Sequence, residues 1–278
     1  MRTQNALTLL TASLLLSLAA TNAMGQDLPP SGDEAAQRLE ASPRHGEWVV
    51  YGAGDADSVK AWVVYPERSD DAPVVVVIHE IFGLTDWIRS VADQLAAEGF
   101  IAIAPDLLTG KGPGGGGTES LDRDGAVRLI RGLERDEVVR RLNAAAEYAT
   151  ALPAAGDKFA SIGFCWGGST SFYYATAQPD LDAVVVYYGT SPDKEQLAKV
   201  DAPVLGLYGG DDQRVVSTVE PAQAEMKQLG KAYEVEIYEG AGHGFLRQQD
   251  GRDGANMRAT RGAWPRTIEF LKAELEGE

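Results

Sequence analysis

Cys165 is the only cysteine in 278 residues, and it lies in the run Gly163-Phe164-Cys165-Trp166-Gly167-Gly168. A strand-like stretch, Lys158-Phe159-Ala160-Ser161-Ile162, leads into it. Glycines on both sides of a central thiol permit a sharp strand-to-helix turn. Such a turn lifts the central residue above a sheet, where it can attack a carbonyl carbon. The turn alone is equally compatible with a small buried apolar cysteine. A thiol nucleophile also needs a base, and the base needs an orienting acid. The chain has three histidines: His45, His79 and His243. His243 lies in Glu239-Gly240-Ala241-Gly242-His243-Gly244-Phe245, a glycine-rich loop after an apolar strand pattern. Two aspartates follow another strand pattern in Tyr208-Gly209-Gly210-Asp211-Asp212-Gln213-Arg214-Val215. Asp212, three residues before the apolar Val215, is the favoured acid. Asp211 competes with it, since an aspartate in a short loop also caps turns.

These residues need a frame that brings them together. Apolar strand patterns over 46–51, 58–65, 73–78, 100–104, 159–164, 181–187, 202–208 and 233–238 alternate with helical spacing over 85–98, 134–150, 169–177, 218–229 and 255–276. The run over 73–78 is β-branched at every residue after Pro73, as in a strand buried on both faces. The alternation predicts an α/β fold, with a mostly parallel, doubly wound sheet and helices on both faces. In such sheets the site lies at the carboxyl ends of the strands. Glu80, Cys165, Asp212 and His243 all fall there. An oxyanion would then be held by two backbone N–H groups, those of Trp166 and of Ile81 after the 73–78 strand. Trp166, Tyr187, Tyr188 and Phe245 suit an aromatic pocket wall, and equally suit core packing. The stretch from Thr109 to Gly125, with four consecutive glycines at 114–117, reads as irregular: either a mobile flap near the site or a tolerated insertion.

Composition bounds the rest. Arg2, the apolar stretch 6–20 and the small residues at 21–25 read as a signal peptide over 1–25, cut after Ala23 or Gly25. Residues 26–42 are polar and read as a loose arm. Residues 43–278 then form one domain, expected to be periplasmic or secreted and monomeric. A lone cysteine allows no internal disulfide, so an exported protein keeping one points to a retained reactive thiol or an inert buried one. The formal net charge of −16 opposes binding to nucleic acid or anionic lipid. No clustered metal-ligand set and no dinucleotide fingerprint is present, so no metal or cofactor is expected.

The order Cys165, Asp212, His243 is that of nucleophile, acid and histidine in α/β hydrolases. His79-Glu80-Ile81-Phe82-Gly83, the Gly163 to Gly168 turn, Gly209 to Val215 and Gly242-His243-Gly244-Phe245 together resemble the dienelactone hydrolase family, from about residue 46 to residue 275. The resemblance implies the α/β-hydrolase fold and hydrolysis of small esters or lactones. It implies that Glu80 sits beside the thiol and takes part in its activation, and that Arg247 binds a substrate carboxylate. A second family arginine, in the loop after Pro-Asp-Leu, is missing; Pro105-Asp106-Leu107-Leu108 leads to Lys111 instead. A thiol-based acyltransferase and a non-catalytic binding protein on the same scaffold are the competing readings.

Overall fold

The computed structural model describes residues 28–54, 56–68 and 70–277. The expected signal peptide lies outside these residues. Eight strands form one sheet in the order β1-β2-β4-β3-β5-β6-β7-β8. They are β1 (Gly46–Gly52), β2 (Ser58–Val64), β3 (Ala72–Ile78), β4 (Ile101–Pro105), β5 (Ala155–Phe164), β6 (Ala183–Tyr187), β7 (Val204–Gly209) and β8 (Tyr233–Tyr238). β1 and β2 run antiparallel to their neighbours, and the rest of the sheet is parallel.

The strand sequences explain why helices cover both faces. Along β3, Val74, Val76 and Ile78 face one core while Val75 and Val77 face the other. β6 divides in the same way, with Val184 and Val186 opposite Val185 and Tyr187. All of these side chains are fully buried. Each is worth about 1.5–3 kcal/mol before the entropy of folding is set against it. α2 (Asp86–Ala97) and α9 (Ala255–Glu276) cover one face through Ile88, Val91, Leu95, Trp264, Ile268 and Leu271. α4 (Arg135–Thr150), α5 (Trp166–Tyr174) and α8 (Val219–Gln228) cover the other through Val138, Leu142, Phe172 and Met226. Two one-turn helices, α6 (Lys194–Leu197) and α7 (Gln213–Val216), join the later strands.

Two segments differ from the sequence expectation. The arm is not loose: it carries a helix, α1 (Ala35–Glu40), which packs on α2 with Ala35 fully buried. Its start is held by its own backbone. The carbonyls of Pro29 and Pro30 accept from buried Gln249 Nε2 at 2.8 Å and Trp87 Nε1 at 3.1 Å, and Gly32 N–H donates to the Arg247 carbonyl at 2.8 Å. At its other end Ser42 and Arg44 both bond to Asp93 of α2. The second segment is the stretch read as irregular up to Gly125. It ends in a helix, α3 (Arg123–Arg131), capped by Asp122, which accepts from Gly125 N–H at 2.7 Å. The glycine-rich loop before it is pinned at Thr118, whose N–H and hydroxyl both donate to the Asp106 carboxylate at 2.7 Å. The Thr118 hydroxyl oxygen also accepts from Leu84 N–H at 3.0 Å, which ties this loop to the one after β3.

Candidate active site

β5 ends in Phe164 and α5 begins at Trp166, so Cys165 alone makes the turn. Its backbone has φ 59° and ψ −115°, a strained conformation for a residue with a Cβ. The neighbouring glycines make the turn possible. A Cβ on Gly163 would stand 1.9 Å from the Gly167 carbonyl oxygen, and one on Gly167 would stand 2.3 Å from that of Ile78. A side chain at Gly163 would press on the start of α5, and one at Gly167 would push the turn off the end of β3.

His243 and Asp212 come from the loops after β8 and β7. The loops are laced together by Gly210 N–H to the Tyr238 carbonyl at 2.8 Å and Asp211 N–H to that of Ala241 at 3.0 Å. His243 Nδ1 lies 2.5 Å from Asp212 Oδ2. The imidazole is 33 % exposed and the carboxylate 8 %. Asp211 points elsewhere and meets Arg252 at 3.0 Å on the surface. Geometry thus separates the two aspartates that sequence left in competition. Sγ makes no hydrogen bond to His243 among the described residues; the nearby backbone N–H groups of Trp166 and Ile81 favour the thiol's anion. Burial nevertheless pushes the Cys165 pKa up, and the Glu80 charge adds to that rise.

Glu80 follows β3 and is 2 % exposed. Its Oε2 accepts from Arg247 Nε at 2.7 Å. Burial raises the Glu80 pKa, against the opposing pull of Arg247 and Arg123. Arg247, expected to bind substrate, is therefore already engaged by an internal carboxylate. It still faces an open cleft of about 450 Å³, lined by Phe82, Leu121, Arg123, Ala126, Gly32 and Asp33 among others. The guanidinium carbon of Arg123 lies 3.9 Å from the centre of the Phe82 ring, and that of Arg247 lies 5.4 Å from it.

Tyr188 and Phe245, expected in a pocket wall, are both fully buried. They stack edge to face at 5.3 Å, and Tyr188 meets His243 edge-on at 5.2 Å. They form the packed floor of the site, not the lining of the cleft. Lys111 is not the missing cation: its Nζ pairs with Glu137 of α4 at 2.7 Å. Sequence reasoning missed Phe82, Arg123 and the arm residues Gly32 and Asp33. The signal for Arg123 was present, because the Asp122 cap precedes Ala126, Leu129, Ile130 and Leu133 at helical spacing. Nothing comparable marked the arm. No cluster of three or more His, Cys, Asp or Glu among the described residues is placed to hold a metal ion.

Residues 59–275 match the model of the dienelactone hydrolase family. The chain belongs to that family. The carboxymethylenebutenolidase of Pseudomonas putida is 31 % identical over 221 residues, which cover 78 % of this chain and 92 % of that one. Among solved structures, a dienelactone hydrolase-like promiscuous phosphotriesterase from metagenomic libraries superposes with a TM-score of 0.70 at 27 % identity, covering 83 % of this chain and 98 % of that one. The dienelactone hydrolase of Anabaena variabilis, at 22 % identity and a TM-score of 0.62, covers 83 % of this chain and 98 % of its own; it shares the fold. The dienelactone hydrolase family places this chain among hydrolases of ester and lactone bonds. The arm lies before the matched segment, so its contacts with Arg247 and the cleft are features of this chain beyond the family match.

Proposed function

We propose that this hydrolase works through a thioester on Cys165, with His243 and Asp212 as proton shuttle and orienting acid. The bond between His243 and Asp212, on the same strand-end rim as the strained Cys165 turn, carries the reading. Sγ attacks the acyl carbon of an ester or lactone as its proton passes to His243. The carbonyl oxygen becomes an oxyanion facing the N–H groups of Trp166 and Ile81. The C–O bond breaks, and the departing alkoxide takes a proton from His243. Water then attacks the thioester, with His243 accepting its proton, and the free acid and thiol are released. The cleft beside Glu80 and Arg247 receives the acyl portion.

A small aryl ester is the test substrate. Cys165→Ala should fold and show no turnover above a trace, and iodoacetamide should abolish wild-type activity. Retained activity in the alanine variant would remove Cys165 from the mechanism. The acyltransferase alternative predicts acyl-transfer product in preference to free acid when an alcohol or amine acceptor is added. We also propose export. The docking residues Pro29, Pro30 and Gly32 lie downstream of both expected cut points, so cleavage leaves their contacts intact. N-terminal sequencing of the protein from a periplasmic fraction should start at Met24 or Gln26; a start at Met1 would refute it.

A further inference from the structure

We infer that His79 is a positioning residue for the oxyanion site: it sets the direction of the Ile81 N–H by holding the other end of the same peptide unit. The inference rests on the thioester reading above. In a trans peptide the C=O and N–H of one unit point in opposite directions, and the described residues contain no cis bond. The Glu80–Ile81 unit presents its carbonyl oxygen to His79 Nδ1 at 2.8 Å and to Gly83 N–H at 3.1 Å. Its N–H, which belongs to Ile81, is thereby turned to the opposite side; the Cys165 turn abuts this loop, where a Cβ on Gly167 would stand 2.4 Å from the His79 carbonyl oxygen, and the Ile81 N–H favours the thiol's anion. Whatever fixes the carbonyl fixes the donor.

The imidazole can do this in one protonation state only. Leu107 N–H, a donor without acceptor capacity, faces Nε2 at 3.3 Å. Nε2 must then carry a lone pair, and the single ring proton sits on Nδ1, aimed at the Glu80 carbonyl. The ring is completely buried, so neutrality is also what its surroundings demand. A carbonyl already accepting a hydrogen bond makes its own N–H a stronger donor, through the polarisation of the shared peptide. The same ring stacks on Trp166 at 5.7 Å with 20° between planes. One side chain therefore braces both residues whose N–H groups meet the oxyanion. It touches neither the sulfur nor the substrate, and it acts through the backbone.

His79→Phe keeps a flat ring for the stack on Trp166 and removes both nitrogens. With Gly83 still holding the carbonyl, the Ile81 donor is misaimed and not lost. The expected result is a kcat lower by about tenfold on an aryl ester, below the full cost of deleting an oxyanion donor, with KM little changed. Iodoacetamide alkylation forms no oxyanion, so its rate at a pH where the thiol is fully ionised should match wild type. His79→Gln offers an amide N–H to the same carbonyl and should recover part of kcat. An unchanged kcat in His79→Phe, or an alkylation rate falling in parallel with kcat, would overturn the inference. A variant that fails to fold leaves a direct measurement on the wild-type chain: nitrogen NMR of the His79 ring at neutral pH. A neutral ring protonated at Nδ1 is expected; protonation at Nε2 overturns the inference. That readout is independent of turnover, so failure of the thioester reading itself would appear separately, as activity in Cys165→Ala.

Discussion

Two buried carboxylates flank the Cys165 turn, and each holds one partially exposed base. Asp212 meets His243 at 2.5 Å; Glu80 meets Arg247 at 2.7 Å. The acids are alike in burial and their bonds alike in length. Only the partner differs, and that decides the chemistry. An imidazole gains and loses a proton near neutral pH, whereas a guanidinium does not. The Asp212 flank can therefore pass protons. The Glu80 flank can only balance charge, and its state changes when another anion competes for Arg247. On the proposed mechanism the first pair turns the substrate over and the second decides when the thiol is ready.

Breaking the first pair should have the larger effect. Asp212→Asn should lower kcat by about 10⁴-fold, because the imidazole loses its orienting acid. Combined with Cys165→Ala it should add almost nothing, since the residues act as a unit. Asp211→Asn, which breaks only the surface pair with Arg252, should change kcat by no more than about twofold. Steady-state rates on one aryl ester measure all three. A reversed ranking of the aspartates would reassign the acid.

Glu80→Gln tests the second flank through two opposed effects. Turnover should fall by about 10²-fold, because the thiol loses the charge balance that readies it for attack. Alkylation without substrate should respond in the opposite sense. The Glu80 charge raises the thiol pKa, so removing it lowers that pKa, and the rate-against-pH curve moves to lower pH. An unmoved curve would leave Glu80 a structural acid. Arg247→Met should raise KM for esters bearing a carboxylate more than for neutral ones. Equal changes would confine Arg247 to its bond with Glu80.

The first flank was legible in sequence and the second only partly. β-branched runs declare buried strands, and strand ends place Cys165, Asp212 and His243 on one rim before any coordinate is known. Glu80 lay on that rim too, but its partner did not follow from spacing, because an arginine on a loop carries no sign of what it will meet. Lys111 shows the converse error: it has the right charge in the right loop, yet Glu137 takes it away. Tyr188 and Phe245 failed for a third reason, since an aromatic residue at a strand end has the same pattern in a floor as in a wall. The arm was hidden most completely. It docks through the backbone carbonyls of Pro29 and Pro30 and the N–H of Gly32, groups every sequence carries and no composition reveals.

That hidden contact gives the smallest and sharpest test of the second flank. A Cβ on Gly32 would stand 3.0 Å from Arg247 Cγ, closer than packed carbons normally approach. The guanidinium is tied to Glu80, so the stem cannot swing away freely. Gly32→Ala should then shift Arg247 by a few tenths of an ångström and loosen its bond to Glu80, without touching the Asp212 flank. KM for a carboxylate-bearing ester should rise by about threefold, the effect of roughly two-thirds of a kcal/mol, while kcat on a neutral aryl ester stays at the wild-type value. If kcat on the neutral ester fell instead, the disturbance would have reached the thiol through Glu80, and the arm would act on more than carboxylate binding. If neither constant moved, the arm would be a structural strap that leaves Arg247 to Glu80 alone.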